Sequence, residues 1–157
     1  MIRPATPEDI PTIARLIRAL GEYEKLSHEI VLREEDLREH LFGARPYAEV
    51  VFAEDAGQVV GFALFFPTYS TFLGRPSLHL EDLFVQPEHR GHGHGKRLLT
   101  HLARLAVERG CGRFEWSVLD WNTPAIAFYT SVGAVLMDGW TGCRLTGEAL
   151  QRFAARG

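Results

Sequence analysis

What this chain has little of narrows the field first. Only two of its 157 residues are cysteines, Cys111 and Cys143, too few for a disulfide framework and without metal-ligand spacing. No apolar run approaches the roughly 20 residues that a membrane-spanning helix needs. There is no excess of basic charge: 17 lysines and arginines face 20 aspartates and glutamates, so the electrostatic footprint of a nucleic-acid binder is missing. No Pro- or Ser-rich linker, low-complexity tract or internal repeat divides the sequence, and it reads as one domain, 1–157. Met1-Ile2-Arg3-Pro4 leads into a strand-like start without an apolar signal region, so a cytoplasmic protein with no membrane or nucleic-acid partner is expected.

Glycine, by contrast, is concentrated where it bears on chemistry. Val85-Gln86-Pro87-Glu88-His89-Arg90-Gly91-His92-Gly93-His94-Gly95-Lys96-Arg97 joins an apolar strand to an amphipathic helix through a turn with glycine at every second position. Such a turn lays the backbone bare and can aim successive N–H groups at an anion, and the following helix adds its own unsatisfied N–H groups and dipole. A P-loop would need glycine where Arg90 stands and Ser or Thr where Arg97 stands; the dinucleotide fingerprint would need glycine at Lys96 or Leu98. Neither fits.

Around this turn the periodicity predicts a mixed α/β sandwich. Met1 to Ala5 reads as a short strand, and Thr6-Pro7-Glu8-Asp9 as a helix start. Ile10, Ile13, Ile17 and Leu20 repeat at helical spacing, with Gly21 expected to break the helix. A second helix is expected over 33–42, strands over 50–54, 59–69 and 77–85 as an antiparallel meander, and the glycine-turn helix as far as Arg109. A strand over 114–119, a helix over 123–132, one or two closing strands within 134–145 and a final helix from Thr146 complete the reading.

A second constellation, Asp120-Trp121-Asn122-Thr123-Pro124-Ala125-Ile126-Ala127-Phe128-Tyr129, places a cap and an early proline at a helix start. If the strands before the two helices are parallel neighbours, both helix starts share one sheet edge, where a long phosphate-bearing ligand can pass between them. Arg90-x-x-Gly93-x-Gly95 together with Asn122-x-x-Ala125-x-x-Phe128-Tyr129 resembles the cofactor site of the GNAT superfamily of N-acetyltransferases. Ile2-Arg3-Pro4-Ala5-Thr6, Glu22-Tyr23-Glu24 and Leu80-Glu81-Asp82-Leu83-Phe84-Val85 extend the similarity, over nearly the full length, to its spermidine/spermine and thialysine acetyltransferase branch.

The resemblance implies a mostly antiparallel sheet of six to seven strands, with helices on both faces and a parallel, splayed strand pair at an acetyl-CoA site. It implies direct acetyl transfer to a primary amine of a polyamine, diamine or lysine-like acceptor, without metal, in a homodimer. Leu83, Phe84, Val85, Arg90, Gly91, His92, Gly93, His94, Gly95, Lys96, Asn122, Pro124 and Ala125 are implied to hold the cofactor. Tyr23, Glu24 and Glu81 are implied to hold the amine, with Glu81 also taking its proton. Tyr129 is implied to protonate the leaving thiolate, and phenols as a class keep their proton at neutral pH. By strand alternation Asp82 falls on the opposite face from Glu81 and reads as structural, unless a bulge intervenes. Thr130 departs from the basic residue common at that place in the polyamine enzymes. The segment 67–76, with Tyr69, Phe72 and Leu73, reads as a loop able to supply an apolar dimer contact.

Three other readings compete. His89, His92 and His94 invite a metal, but side chains at 92 and 94 are expected to face away from the phosphates in this turn. A non-catalytic acyl-CoA-binding module would be marked by a lost tyrosine at 129 or an apolar residue at 81, and neither occurs. A protein lysine or N-terminal amine as acceptor stays open.

Overall fold

The computed structural model describes residues 1–157, which form two units, Met1–Ser117 and Val118–Gly157. The first contains β1 (Ile2–Pro4), α1 (Ile10–Tyr23), α2 (Glu34–Phe42), β2 (Glu49–Asp55), β3 (Gln58–Ser70), β4 (Arg75–Val85), α3 (His94–Glu108) and β5 (Arg113–Trp116). The second contains α4 (Thr123–Ser131) and α5 (Gly147–Ala154).

The sheet follows chain order, β1-β2-β3-β4-β5, antiparallel throughout except for the parallel β4–β5 pair. Parallel neighbours need a crossover, and α3 supplies it. Period-2 alternation divides the strands between two layers. Val50, Phe52, Phe62 and Phe84 pack with Ile10, Ile13, Leu16 and Leu20 of α1 and Leu41 of α2. Val51, Ala53, Ala63, Phe65, Leu78 and Leu80 are also buried, on the face that receives Leu98, Leu99 and Leu102 of α3. Each large apolar side chain so buried contributes about 1.5–3 kcal/mol.

The entry to α1 is fixed by charge. Asp9 accepts hydrogen bonds from the Thr6 backbone N–H (2.8 Å) and from Arg3 Nη1 (2.8 Å), and Arg3 Nε reaches Glu54 on β2.

Four expectations are corrected. The sheet has five strands instead of six to seven. Residues 134–145 form no strand: Gly133 and Gly139 take positive φ values of 97° and 92°, and the second unit offers no strand to pair with. A strand exists only through a partner's hydrogen bonds, which alternation within one segment does not provide. Segment 67–76 is a hairpin and not a loop, since Pro67 pairs with Leu78 and Tyr69 with Pro76, leaving Phe72 exposed at its tip. Gly21 does not end α1 either; it is buried, and Ile30 lies where its Cβ would be, so the helix runs on to Tyr23.

Candidate functional site

A slip in one strand organises the site. Leu80 of β4 pairs with Phe65, while Asp82 pairs with Leu64, so Glu81 is an extra residue bulged out of the ladder. Leu64 packs against the α1 core, and the bulge therefore brings Asp82 to the same side as Glu81, correcting the alternation that placed it opposite. The end of α1 delivers a third carboxylate: Glu24 is its C-terminal cap residue. Burial, then Glu81, then Glu24 push the Asp82 carboxyl up to about 7. Burial and Glu81 raise Glu24 as well. Two carboxyls held up by burial and by the charge of a third, Glu81, form a site in want of a cation. On the other side of Glu81, His79 Nε2 lies 3.4 Å from Glu81 Oε2.

At the same point β4 loses one neighbour. The β4–β5 ladder ends at the pair Leu80 and Trp116, whereas β4 continues beside β3 to Val85. The strands part here, as the splayed pair requires, leaving one backbone edge of Glu81 to Val85, including Leu83 and Phe84, without a strand partner. Gly61 of β3 permits the close approach on the opposite edge, because a Cβ there would meet the Phe84 carbonyl at 2.7 Å.

The glycine turn follows directly. Gly91 and Gly93 both have φ of 81°, a left-handed conformation that a side chain would strain, and Gly93 is the N-cap of α3. The first helical hydrogen bond runs from Arg97 N–H to the Gly93 carbonyl at 3.0 Å. The N–H groups of His94, Gly95 and Lys96 thus precede the ladder and make a helix-start anion cradle. Nothing lies within 4 Å of a Cβ at Gly91, so the turn is open to a ligand. These features fit the phosphates of an acyl-CoA donor. The His92 side chain is exposed, while His94 is buried, with its Nδ1 2.8 Å from Arg97 Nη2. Burial and Arg97 lower the His94 pKa, and its Nε2 is 3.7 Å from Asp55, beyond hydrogen-bond reach. Arg97 Nη1 sits 3.9 Å from the position of a Cβ on Gly93, so a cation absent from the motif reading borders the cradle.

The Arg90 side chain reaches toward the end of α1. Its Nε donates to the Val85 carbonyl (2.9 Å), and its Cζ lies 4.5 Å from the Tyr23 ring centroid and 5.4 Å from that of Phe84.

In the second unit Asn122 caps α4 by accepting from the Ala125 N–H at 3.4 Å, with Pro124 in the first turn. Tyr129 is half-buried, its ring 5.6 Å from that of Phe128.

Sequence reasoning missed Asp82 as a site residue. The available signal was two consecutive acids in a strand whose buried positions change face between Leu80 and Phe84.

An anion cradle at a helix start, beyond a strand whose carboxylates cluster with one from the end of α1, is the arrangement that a group-transfer enzyme with a phosphorylated donor and a cationic acceptor would need. The model of the Acetyltransferase (GNAT) family matches residues 14–134, and the chain belongs to that family. It is accordingly an acetyl-CoA-dependent N-acetyltransferase, moving an acetyl group to an amine. Thialysine N-epsilon-acetyltransferase of Mus musculus is 40% identical, covering 99% of this chain and 97% of its own length. L-ornithine N5-acetyltransferase NATA1 of Arabidopsis thaliana is 37% identical over 96% of this chain and 86% of its own. Among solved structures, the integron cassette protein VCH_CASS6 of V. cholerae superimposes with a TM-score of 0.81 at 26% identity, covering 98% of this chain and 96% of that one.

Proposed function

We propose that the acceptor is the terminal amino group of a small cationic molecule: a lysine- or thialysine-like amino acid, a diamine or a polyamine. The carboxylate cluster of Glu24, Glu81 and Asp82 carries this reading. Relatives named for thialysine and ornithine support it, since both compounds present an amine on a short alkyl arm.

An alkylammonium with a pKa near 10.4 has only about 0.04% free amine at pH 7, a handicap of roughly 4.6 kcal/mol before attack on a thioester. Glu24 and Glu81 attract and orient the cation, and Tyr23 lines the same approach. Asp82, whose pKa of about 7 matches the working pH, takes the proton directly or through one water, so the part expected of Glu81 is divided between neighbours. Acetyl-CoA supplies the activated acyl group. Its phosphates are assigned to the N–H groups of the Gly91–Lys96 turn, and its arm to the unpaired edge of Leu83, Phe84 and Val85, with a backbone N–H there for the thioester carbonyl. Tyr129 protonates the departing thiolate, an assignment that rests on the Asn122-to-Tyr129 motif. The family match runs across both units, which supports reading 1–157 as one acetyltransferase domain.

The test is acetyl-CoA-dependent release of free thiol from the purified protein with thialysine, lysine, ornithine, putrescine, spermidine, spermine and a lysine-bearing peptide. Turnover of a small amine class, with the peptide inert, is expected. Turnover of the peptide alone overturns the small-acceptor reading.

A further inference from the structure

The position that opens the glycine motif works toward the acceptor. We infer that Arg90 is a positioning residue for the amine site, holding the end of α1 in place, and not a ligand for the donor's phosphates. This rests on the reading of the Glu24, Glu81 and Asp82 cluster as the amine site.

Three contacts point this way. The Arg90 guanidinium carbon lies over the Tyr23 ring, 4.5 Å from its centroid, and 5.4 Å from that of Phe84, both within cation–π range. Its Nε donor is already committed to the Val85 carbonyl at 2.9 Å, which anchors the side chain to the last residue of β4. Phe84 is buried in the sheet core, so the arginine bears on a rigid floor, whereas Tyr23 is 38% exposed and the arginine lies over its ring.

The Tyr23 end of this link is joined directly to an acceptor carboxylate. Tyr23 is the last residue of α1 and Glu24 the next, so holding the ring restrains the backbone that carries the carboxylate. The chain reverses there through Lys25, a non-glycine residue at φ 62° where helix ends ordinarily use glycine. Lysine does not favour this conformation, and the bend is closed by hydrogen bonds from Lys25 N–H to Glu22 (3.1 Å) and from Leu26 N–H to Gly21 (2.8 Å). Ile30 on Gly21 supports it from one side, and Arg90 on Tyr23 from the other. Arginine suits the task by its planar cation; lysine carries the charge without the stacking face. Arg90 thereby joins the loop before the phosphate cradle to the acceptor carboxylates in one rigid unit.

The test compares the full-length wild type with Arg90→Gln, Arg90→Lys, Tyr23→Leu and Tyr23→Phe, by steady-state kinetics and by hydrogen exchange. Arg90→Gln and Tyr23→Leu are each expected to raise the amine KM about tenfold while the acetyl-CoA KM moves less than about threefold, and their double variant to be no worse than either. Arg90→Lys is expected to resemble Arg90→Gln. A rise confined to the acetyl-CoA KM overturns the proposal in favour of a phosphate ligand, and unchanged KM values overturn it as well.

Exchange reads the same link without turnover. The amides of Glu24 and Leu26, bonded to Leu20 (2.9 Å) and Gly21 (2.8 Å), are expected to exchange faster in Arg90→Gln and Tyr23→Leu, with protection kept in Tyr23→Phe. Unchanged protection shows that Arg90 does not hold the end of α1. If the wild type acetylates no small amine, the amine-site reading falls, and the exchange result still decides whether the strut exists.

Discussion

Asp82 stands across the ladder from Leu64, and this pairing puts its carboxyl on the α1 side of the sheet beside Glu81. Two adjacent residues of one strand thus serve one site, at the place where β4 has lost β5. Burial first, and then the proximity of Glu81 and Glu24, raises the Asp82 pKa to about 7, the value that suits the proton acceptor proposed for it.

Asp82→Asn removes the proton acceptor, and kcat is expected to fall about 10²- to 10⁴-fold. In the wild type, kcat/KM should decline as pH drops through about 7, because only the ionised form accepts a proton. The same substitution should stabilise the fold. A folded-state pKa above the ordinary aspartate value means that the folded protein binds the extra proton, so stability falls as pH rises from about 4 to about 7. Asparagine escapes that penalty, and a gain on the order of 2 kcal/mol in denaturant unfolding at pH 8 is expected.

Glu81→Gln takes away the stronger of the two charges that, after burial, hold the Asp82 pKa up. The acidic limb of the kcat/KM profile should move to lower pH, and the amine KM should rise about tenfold with a smaller change for acetyl-CoA. An unmoved limb would assign that limb to another group.

Gly93→Ala places a Cβ on a residue at φ 81°. The fault is backbone strain and not a clash, since the nearest atom to that Cβ is Arg97 Nη1 at 3.9 Å. A loss of about 1–2 kcal/mol in stability is expected, together with a raised acetyl-CoA KM as the cradle deforms. Thermal unfolding and donor titration separate the two effects.

Asp9→Asn tests the entry to α1. The Arg3 hydrogen bond, with those from Thr6, lowers the Asp9 pKa to about 2. The stability this contributes is present in full above the unfolded value near 3.9 and is lost as pH falls through about 2. A cost of about 1–2 kcal/mol at pH 7 that vanishes near pH 2 is expected in urea unfolding, discounted because Arg3 is 30% exposed.

Tyr129→Phe should lower kcat far more than it alters acetyl-CoA affinity, since the hydroxyl is asked to act only as the thiolate leaves. Equal kcat values for the two proteins would remove Tyr129 from the mechanism.

By itself the sequence determined the meander, the α3 crossover and the glycine turn, because these depend on local signals: alternation in β2 to β4, the Leu98, Leu99 and Leu102 stripe, and glycine where φ is positive at 91 and 93. It also marked Glu24, Glu81 and the Asn122 cap as residues worth watching. What only the tertiary structure decided are the relations between strands and between distant segments. The bulge at Glu81 is a property of the β3–β4 register, and a slip of one residue changes which face every later side chain meets. The missing strands in 134–145 reflect a partner that alternation cannot promise. The turning of Arg90 toward Tyr23, 67 positions earlier in the chain, follows from α1 ending beside the end of β4, a meeting that burial of Leu20 and Phe84 in one core enforces and that no local pattern encodes.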